Sequence, residues 1–187
     1  MDKTYRDEFS RLFVVDHLPG SFSPADAHLQ IYDNYVSGTR LRFRRVRVPL
    51  TREWTRHLQQ RIPTSGHIKI AEMFLDEDEY RALGAFEGNE IRKNRYFADI
   101  EGRSVAFDLF LGPLAGLTMA RVVAETAGEL DEFEFPYAAL EVTGEQFFDG
   151  SNLFQLAFPD VENEIARLLK NVHSQQTVIG EIASDYE

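Results

Sequence analysis

The stretch Thr39-Arg40-Leu41-Arg42-Phe43-Arg44-Arg45-Val46-Arg47 alternates charged and apolar side chains with a period of two through Phe43. In a strand successive side chains point to opposite faces, so Arg40, Arg42 and Arg44 share one face and Leu41 and Phe43 the other. A strand over Thr39 to Val48 is predicted. Outward from it, segments rich in β-branched and aromatic residues recur over Phe9 to Val15, His28 to Val36, Trp54 to Ile62, His67 to Leu75, Asn89 to Ile100, Arg103 to Phe110 and Thr118 to Glu125. Ser37-Gly38 and Glu101-Gly102 are short Gly-containing connections that suit hairpins between sequential antiparallel neighbours. Strands of this number and length commonly close on themselves, because closure removes unpaired edges. The expected fold class is α+β, a closed eight-stranded antiparallel β-barrel with short outer helices.

Two helices are predicted. Asp76 caps a short acidic segment that runs to about Leu83, with negative charge in its first turn. Pro159-Asp160 leads into a segment to Lys170 in which Val161, Ile165, Leu168 and Leu169 form a stripe at helical spacing. Residues 1–170 are read as one domain and 171–187 as a C-terminal tail, left open between a loose end, a short strand over Thr177 to Ile182 and a partner-binding piece.

Composition narrows the function. The 187 residues are 43% hydrophobic and 27% charged, as in a globular protein, and they include no Cys. Thiolate catalysis, Cys-ligated metals and disulfides are excluded. No apolar run is long enough for a spanning helix, and Met1 to Val15 carries charges where a signal peptide is apolar, so no membrane association and a cytoplasmic location are expected. The formal charge of −11 opposes binding to nucleic acid. Positive charge is nevertheless concentrated: Arg40 to Arg61 holds eight Arg and one acidic residue, whereas Asp99 to Glu187 holds seventeen acidic residues and four basic ones. Such a concentration in an acidic chain suits a localised anion site.

The Arg40, Arg42 and Arg44 row, with neighbours about 7 Å apart, repels itself unless an anion or carboxylates lie opposite. Guanidinium forks match phosphate oxygens. Lys93 and Arg95 form a second pair two residues apart, and Arg61 ends another strand. Solvated charges on an exposed sheet face are the competing reading. The five His residues show no metal-clamping spacing, and neither a Gly-x-Ser-x-Gly elbow nor a Gly-rich phosphate loop is present.

In order, Phe13-Val14-Val15, the Arg40 and Arg42 strand, Ile91-Arg92-Lys93-Asn94-Arg95-Tyr96, Phe107-Asp108-Leu109-Phe110-Leu111-Gly112-Pro113-Leu114-Ala115-Gly116-Leu117 and Glu141-Val142-Thr143-Gly144 resemble the CYTH domain of the triphosphate tunnel metalloenzyme superfamily. The resemblance spans roughly Tyr5 to Asn152. It implies a tunnel whose basic side chains hold a triphosphate and whose Glu residues hold one or two divalent cations for hydrolysis, chemistry that needs both neutralised phosphate oxygens and an oriented in-line attack. Carried over, the anion-binding positions are Arg40, Arg42, Arg61, Lys93 and Arg95, to which Arg44 adds its place in the row.

The acidic positions depart from the family pattern. Glu8 remains, but Ser10 and Leu12 stand where the resemblance implies Glu and Lys; Asp108 remains, but Ala106 replaces a Glu, and Arg121 and Val123 replace two more. Glu8 and Asp108 are the retained metal candidates, with Glu72 and Glu125 as substitutes. Arg121 would repel a divalent cation and add a phosphate donor. Mg²⁺ or Mn²⁺ is therefore expected to be held weakly or not at all. Three readings remain open: a basic tunnel that binds a triphosphate or other phosphorylated small molecule with metal-dependent hydrolysis lost or weakened, an active metal-dependent triphosphatase, and an interaction or structural protein whose vestigial tunnel is tied by an Arg121 salt bridge to Glu8 or Asp108. The resemblance also allows a homodimer.

Overall fold

The computed structural model describes residues 3–19, 22–86 and 89–184. Its strands are β1 (Lys3–Val14), β2 (Leu29–Tyr35), β3 (Leu41–Arg47), β4 (Trp54–Pro63), β5 (Ile68–Phe74), β6 (Asn89–Ile100), β7 (Arg103–Leu111), β8 (Thr118–Ala124) and the two-residue β9 (Leu140–Glu141). All pairings are antiparallel, in the order β5-β4-β3-β2-β6-β7-β8-β1, and β1 returns to β5 to close an eight-stranded barrel. β9 adds to β1 outside the ring, opposite Phe13 and Val14.

Each strand predicted from the alternation is present. Closure depends on a part of β1 that the pattern does not reveal: Lys3 to Glu8 pairs with β5, and Phe9 to Val14 pairs with β8. The first half contains Arg6 and Glu8, which carry no apolar signal because the interior they help line is itself charged. The β6–β7 hairpin turns at Glu101 (φ 53°) and Gly102 (φ 76°). Two consecutive left-handed residues match the twist of the paired strands.

The helices are α1 (Glu77–Ala82), α2 (Gly128–Asp131), α3 (Gly150–Leu153) and α4 (Phe158–Ser184). Asp76 caps α1 as expected: its Oδ1 accepts from the Glu79 N–H at 2.8 Å, and the Asp76 N–H donates to Glu79 Oε2 at 2.9 Å. α4 begins where the Val161, Ile165, Leu168 and Leu169 stripe begins and runs on past Lys170, so the backbone to Ser184 is helical and the short strand considered for Thr177 to Ile182 is not formed. No Pro interrupts that stretch.

The pleat divides the barrel strands between two apolar clusters. Phe13, Tyr96, Val105, Phe107, Ala120 and Val122 pack on the outer face under Leu130 and Phe133. Val14, Ile91, Phe110 and Met119 pack at one end of the barrel with Leu114, Leu117, Phe148, Leu153 and Val161, and Ile165, Leu168 and Leu169 of α4 lie against them. Burying an apolar side chain of this size contributes about 1.5–3 kcal/mol. One end of the barrel is therefore an apolar plug, and the charged residues occupy the rest of its interior.

Candidate functional site

A cavity of about 350 Å³ lies inside the barrel. Four strands show how it is built. β1 contributes Glu8 and Leu12, β6 Ile91, Lys93, Arg95 and Phe97, β7 Ser104, Ala106, Asp108 and Phe110, and β8 Met119, Arg121 and Val123. The β6, β7 and β8 sets keep the two-residue step of a strand, and Glu8 and Leu12, four apart, share one face of β1. β2 and β3 add Asp33, Tyr35, Arg42 and Arg44, β4 adds Arg61, and Arg6 also reaches the wall. Phe148, Asp149, Gly150 and Leu153, from the segment around α3, close one side. A Cβ at Gly150 would collide with the Tyr35 hydroxyl, so only glycine permits this approach.

Seven cations thus meet four carboxylates on the wall. They are grouped by ion pairing. Asp33 takes Arg44 through two bonds of 2.6 Å and Arg42 at 3.3 Å, while Arg42 Nε donates to Gln59 Oε1 at 2.7 Å. Asp108 takes Arg95 at 2.7 and 2.8 Å and Lys93 at 2.7 Å. Glu8 Oε1 takes Arg121 at 2.8 Å and Arg61 at 3.3 Å, and Arg6 stands 3.8 Å from Oε2. Asp33 and Asp108 each face two cations, and Glu8 faces three.

Electrostatics follow from that grouping. Burial alone would raise the Asp33 and Asp108 carboxyls, but the neighbouring cations more than reverse it and hold both well below the usual carboxylate range. Glu8 is held at about 2, against burial, by Arg121, Arg61 and Arg6. Burial pushes Lys93 down to about 8, opposed by Asp108 and assisted by Arg95. Burial, with Arg42 and Arg121 close by, pushes Arg61 down to about 10. Both are lowered chiefly because burial disfavours the charged form, whereas Asp33 and Asp108 hold Arg44 and Arg95 above the ordinary guanidinium value against the same burial.

No family model matches the sequence, and no curated protein matches it significantly. Among solved structures, that of the inorganic triphosphatase NE1496 superposes with a TM-score of 0.51 at 21% identity, covering 81% of this chain and 94% of that one. A second structure of NE1496, described as a hypothetical protein, gives 0.53 at 20% identity over 80% and 99%. Both share the closed antiparallel barrel. The chain has their fold, a closed eight-stranded antiparallel barrel, which is the fold that the CYTH resemblance implies.

Within this barrel, six of the seven expected anion-binding residues line one cavity: Arg42, Arg44, Arg61, Lys93, Arg95 and Arg121. Arg40 does not join them. The β2–β3 hairpin closes with Val36 N–H donating to the Leu41 carbonyl, which leaves Arg40 in the turn, exposed. It lines a smaller adjoining cavity of about 150 Å³ with Arg42, Arg61 and Asp149.

The donor set for a metal is a different matter. Glu8 and Asp108 do face the tunnel, yet their oxygens are engaged by cations, and among the described residues no three His, Asp or Glu side chains are grouped to hold a metal ion. Glu72 lies buried beneath the wall, bonded by Gln59 and by Arg6 at 3.2 Å, and Glu125 is exposed just past the end of β8. Leu12, Ala106, Arg121 and Val123, where the resemblance implies a Lys and three Glu, all line the cavity. Mg²⁺ needs hard oxygen ligands in near-octahedral order, and these residues do not fit it.

The sequence reading missed Asp33, Arg6, Tyr35 and Asp149. Asp33 had a signal, since it is the acidic residue on the otherwise apolar Leu29, Ile31 and Tyr35 face of its strand. Asp149 had none, because no periodicity places the turn before α3 against the tunnel.

Proposed function

We propose that the tunnel binds a triphosphate or another phosphorylated small molecule through its cations, with metal-dependent hydrolysis lost or weakened. The observation that carries this reading is the surplus of positive charge on the tunnel wall: Arg42 and Arg44 share Asp33, Lys93 and Arg95 share Asp108, and Arg61 and Arg121 share Glu8. Charges that served only to hold the barrel together would balance, since an uncompensated buried charge is strongly destabilising. Phosphate oxygens supply the missing counter-charge and accept from guanidinium forks. Support for a triphosphate in particular comes from the fold shared with the inorganic triphosphatase NE1496.

Hydrolysis by the family's route calls for placed carboxylates, and Ala106, Arg121 and Val123 supply none. Thermal melts of the protein with inorganic triphosphate, orthophosphate and sulfate test the reading. A rise in Tm with triphosphate that is absent in Arg61→Ala supports it, and an unchanged Tm at saturating triphosphate contradicts it. Phosphate release from triphosphate with Mg²⁺ or Mn²⁺, against a chelator control, separates a binder from a working triphosphatase.

A further inference from the structure

The positive charge a divalent cation would bring to this tunnel is already carried by a side chain. We propose that Arg121, seated with Arg61 around Glu8, is a built-in replacement for a metal ion, so that the tunnel grips a polyphosphate without a divalent cation and grips it less well when one is added. This rests on the anion-binding reading above and specifies what that site requires.

Three observations converge on Arg121. It stands on β8 opposite Leu12 of β1 and Ala106 of β7, neither of which offers a ligand oxygen. Its Nη1 is 2.8 Å from Glu8 Oε1, the oxygen that Arg61 also approaches at 3.3 Å, so that carboxylate oxygen is already engaged by two guanidinium groups. Its Nε is buried and has no hydrogen-bond partner, although Arg121 lines the cavity. A buried donor without an acceptor is costly, and a phosphate oxygen would satisfy it.

A divalent cation entering here would meet fixed guanidinium charges at short range, repelled by an energy that grows as the local dielectric falls. In solution the same cation pairs with the ligand and cancels the charge on which the tunnel acts. Mg²⁺ therefore opposes binding from both sides. In a site that needs a metal bridge the sign is opposite, and that difference is measurable.

The test is calorimetric titration of inorganic triphosphate into the full chain, wild type and Arg121→Glu, each in EDTA and in excess Mg²⁺. Wild type should bind in EDTA and bind more weakly in Mg²⁺. Arg121→Glu should lose about ten- to a hundredfold in EDTA, the range of a charged hydrogen bond, and recover part of it in Mg²⁺ because two carboxylates then face the ligand. Wild-type binding that requires Mg²⁺ overturns the inference and leaves the anion-binding reading standing; binding in neither buffer overturns both. If Arg121→Glu fails to fold by circular dichroism, Arg121→Gln decides: weaker binding in EDTA without recovery in Mg²⁺ supports the inference, and unchanged affinity overturns it.

Discussion

Arg121 Nη1 lies 2.8 Å from Glu8 Oε1, joining the adjacent strands β8 and β1 on the tunnel wall through a pair in which only 10% of the Glu8 side chain is accessible. With Arg61 and Arg6 around the same carboxylate, Glu8 both restrains the cations and competes with any anion for them. Stability and ligand affinity are therefore set against each other at this residue.

Glu8→Gln should separate the two. Removing the carboxylate leaves Arg61 and Arg121 facing one another, and the free protein should lose about 3 kcal/mol, the scale of breaking a buried pair. The rise in Tm caused by triphosphate should grow, because the tunnel has lost a competing negative charge. Thermal melts with and without ligand check both signs.

Acid should act through the same carboxylate. Glu8 titrates at about 2 when folded and near its ordinary value of 4.5 when unfolded, so its stabilising contribution is complete above pH 4.5 and is lost as the pH falls toward 2. Asp33 and Asp108, also held low, add losses in the same direction. Tm measured from pH 7 down to 3 should fall, and less steeply in Glu8→Gln.

Lys93 should set the alkaline limit of the proposed binding. Burial holds its ammonium near 8, so the affinity for triphosphate should decline as the pH rises through that value and the group loses its charge. Lys93→Arg should flatten the decline, since a guanidinium stays charged there. Titrations between pH 6 and 9.5 on both proteins measure it.

Asp149 lies on the wall beside Arg61 and Arg121 and opposes an anion. Asp149→Asn should tighten triphosphate binding by about fivefold, roughly 1 kcal/mol, the size of a single-charge interaction near a wet surface. Calorimetry gives the ratio directly.

Gly150 allows α3 to reach the Tyr35 hydroxyl. Gly150→Ala forces that contact apart and should cost about 1–3 kcal/mol, the scale of overpacking. Chemical denaturation reports the loss.

The barrel was legible because its strands carry apolar residues on alternate positions and the outer Phe13, Tyr96 and Phe107 face needs them buried. The first half of β1 was not, since Arg6 and Glu8 face a charged interior where hydrophobic alternation has no meaning. Among site residues, the Arg42 and Arg44 step and the Lys93 and Arg95 step follow from strand periodicity once the barrel is assumed. What periodicity could not supply is which carboxylate each cation meets. Asp33 opposes Arg44 in the β2–β3 register and Asp108 opposes Arg95 in the β6–β7 register, pairings fixed by turns that also put Arg40 outside the tunnel. α3 and Asp149 reach the site through tertiary packing alone.

The most direct measurement is a ³¹P NMR spectrum of inorganic triphosphate with the protein and Mg²⁺, followed over time and repeated in EDTA. The triphosphate resonances should broaden or shift saturably with added protein, more strongly in EDTA, while little or no orthophosphate signal grows. Triphosphate resonances that do not respond to the protein in either buffer would contradict the proposed binding.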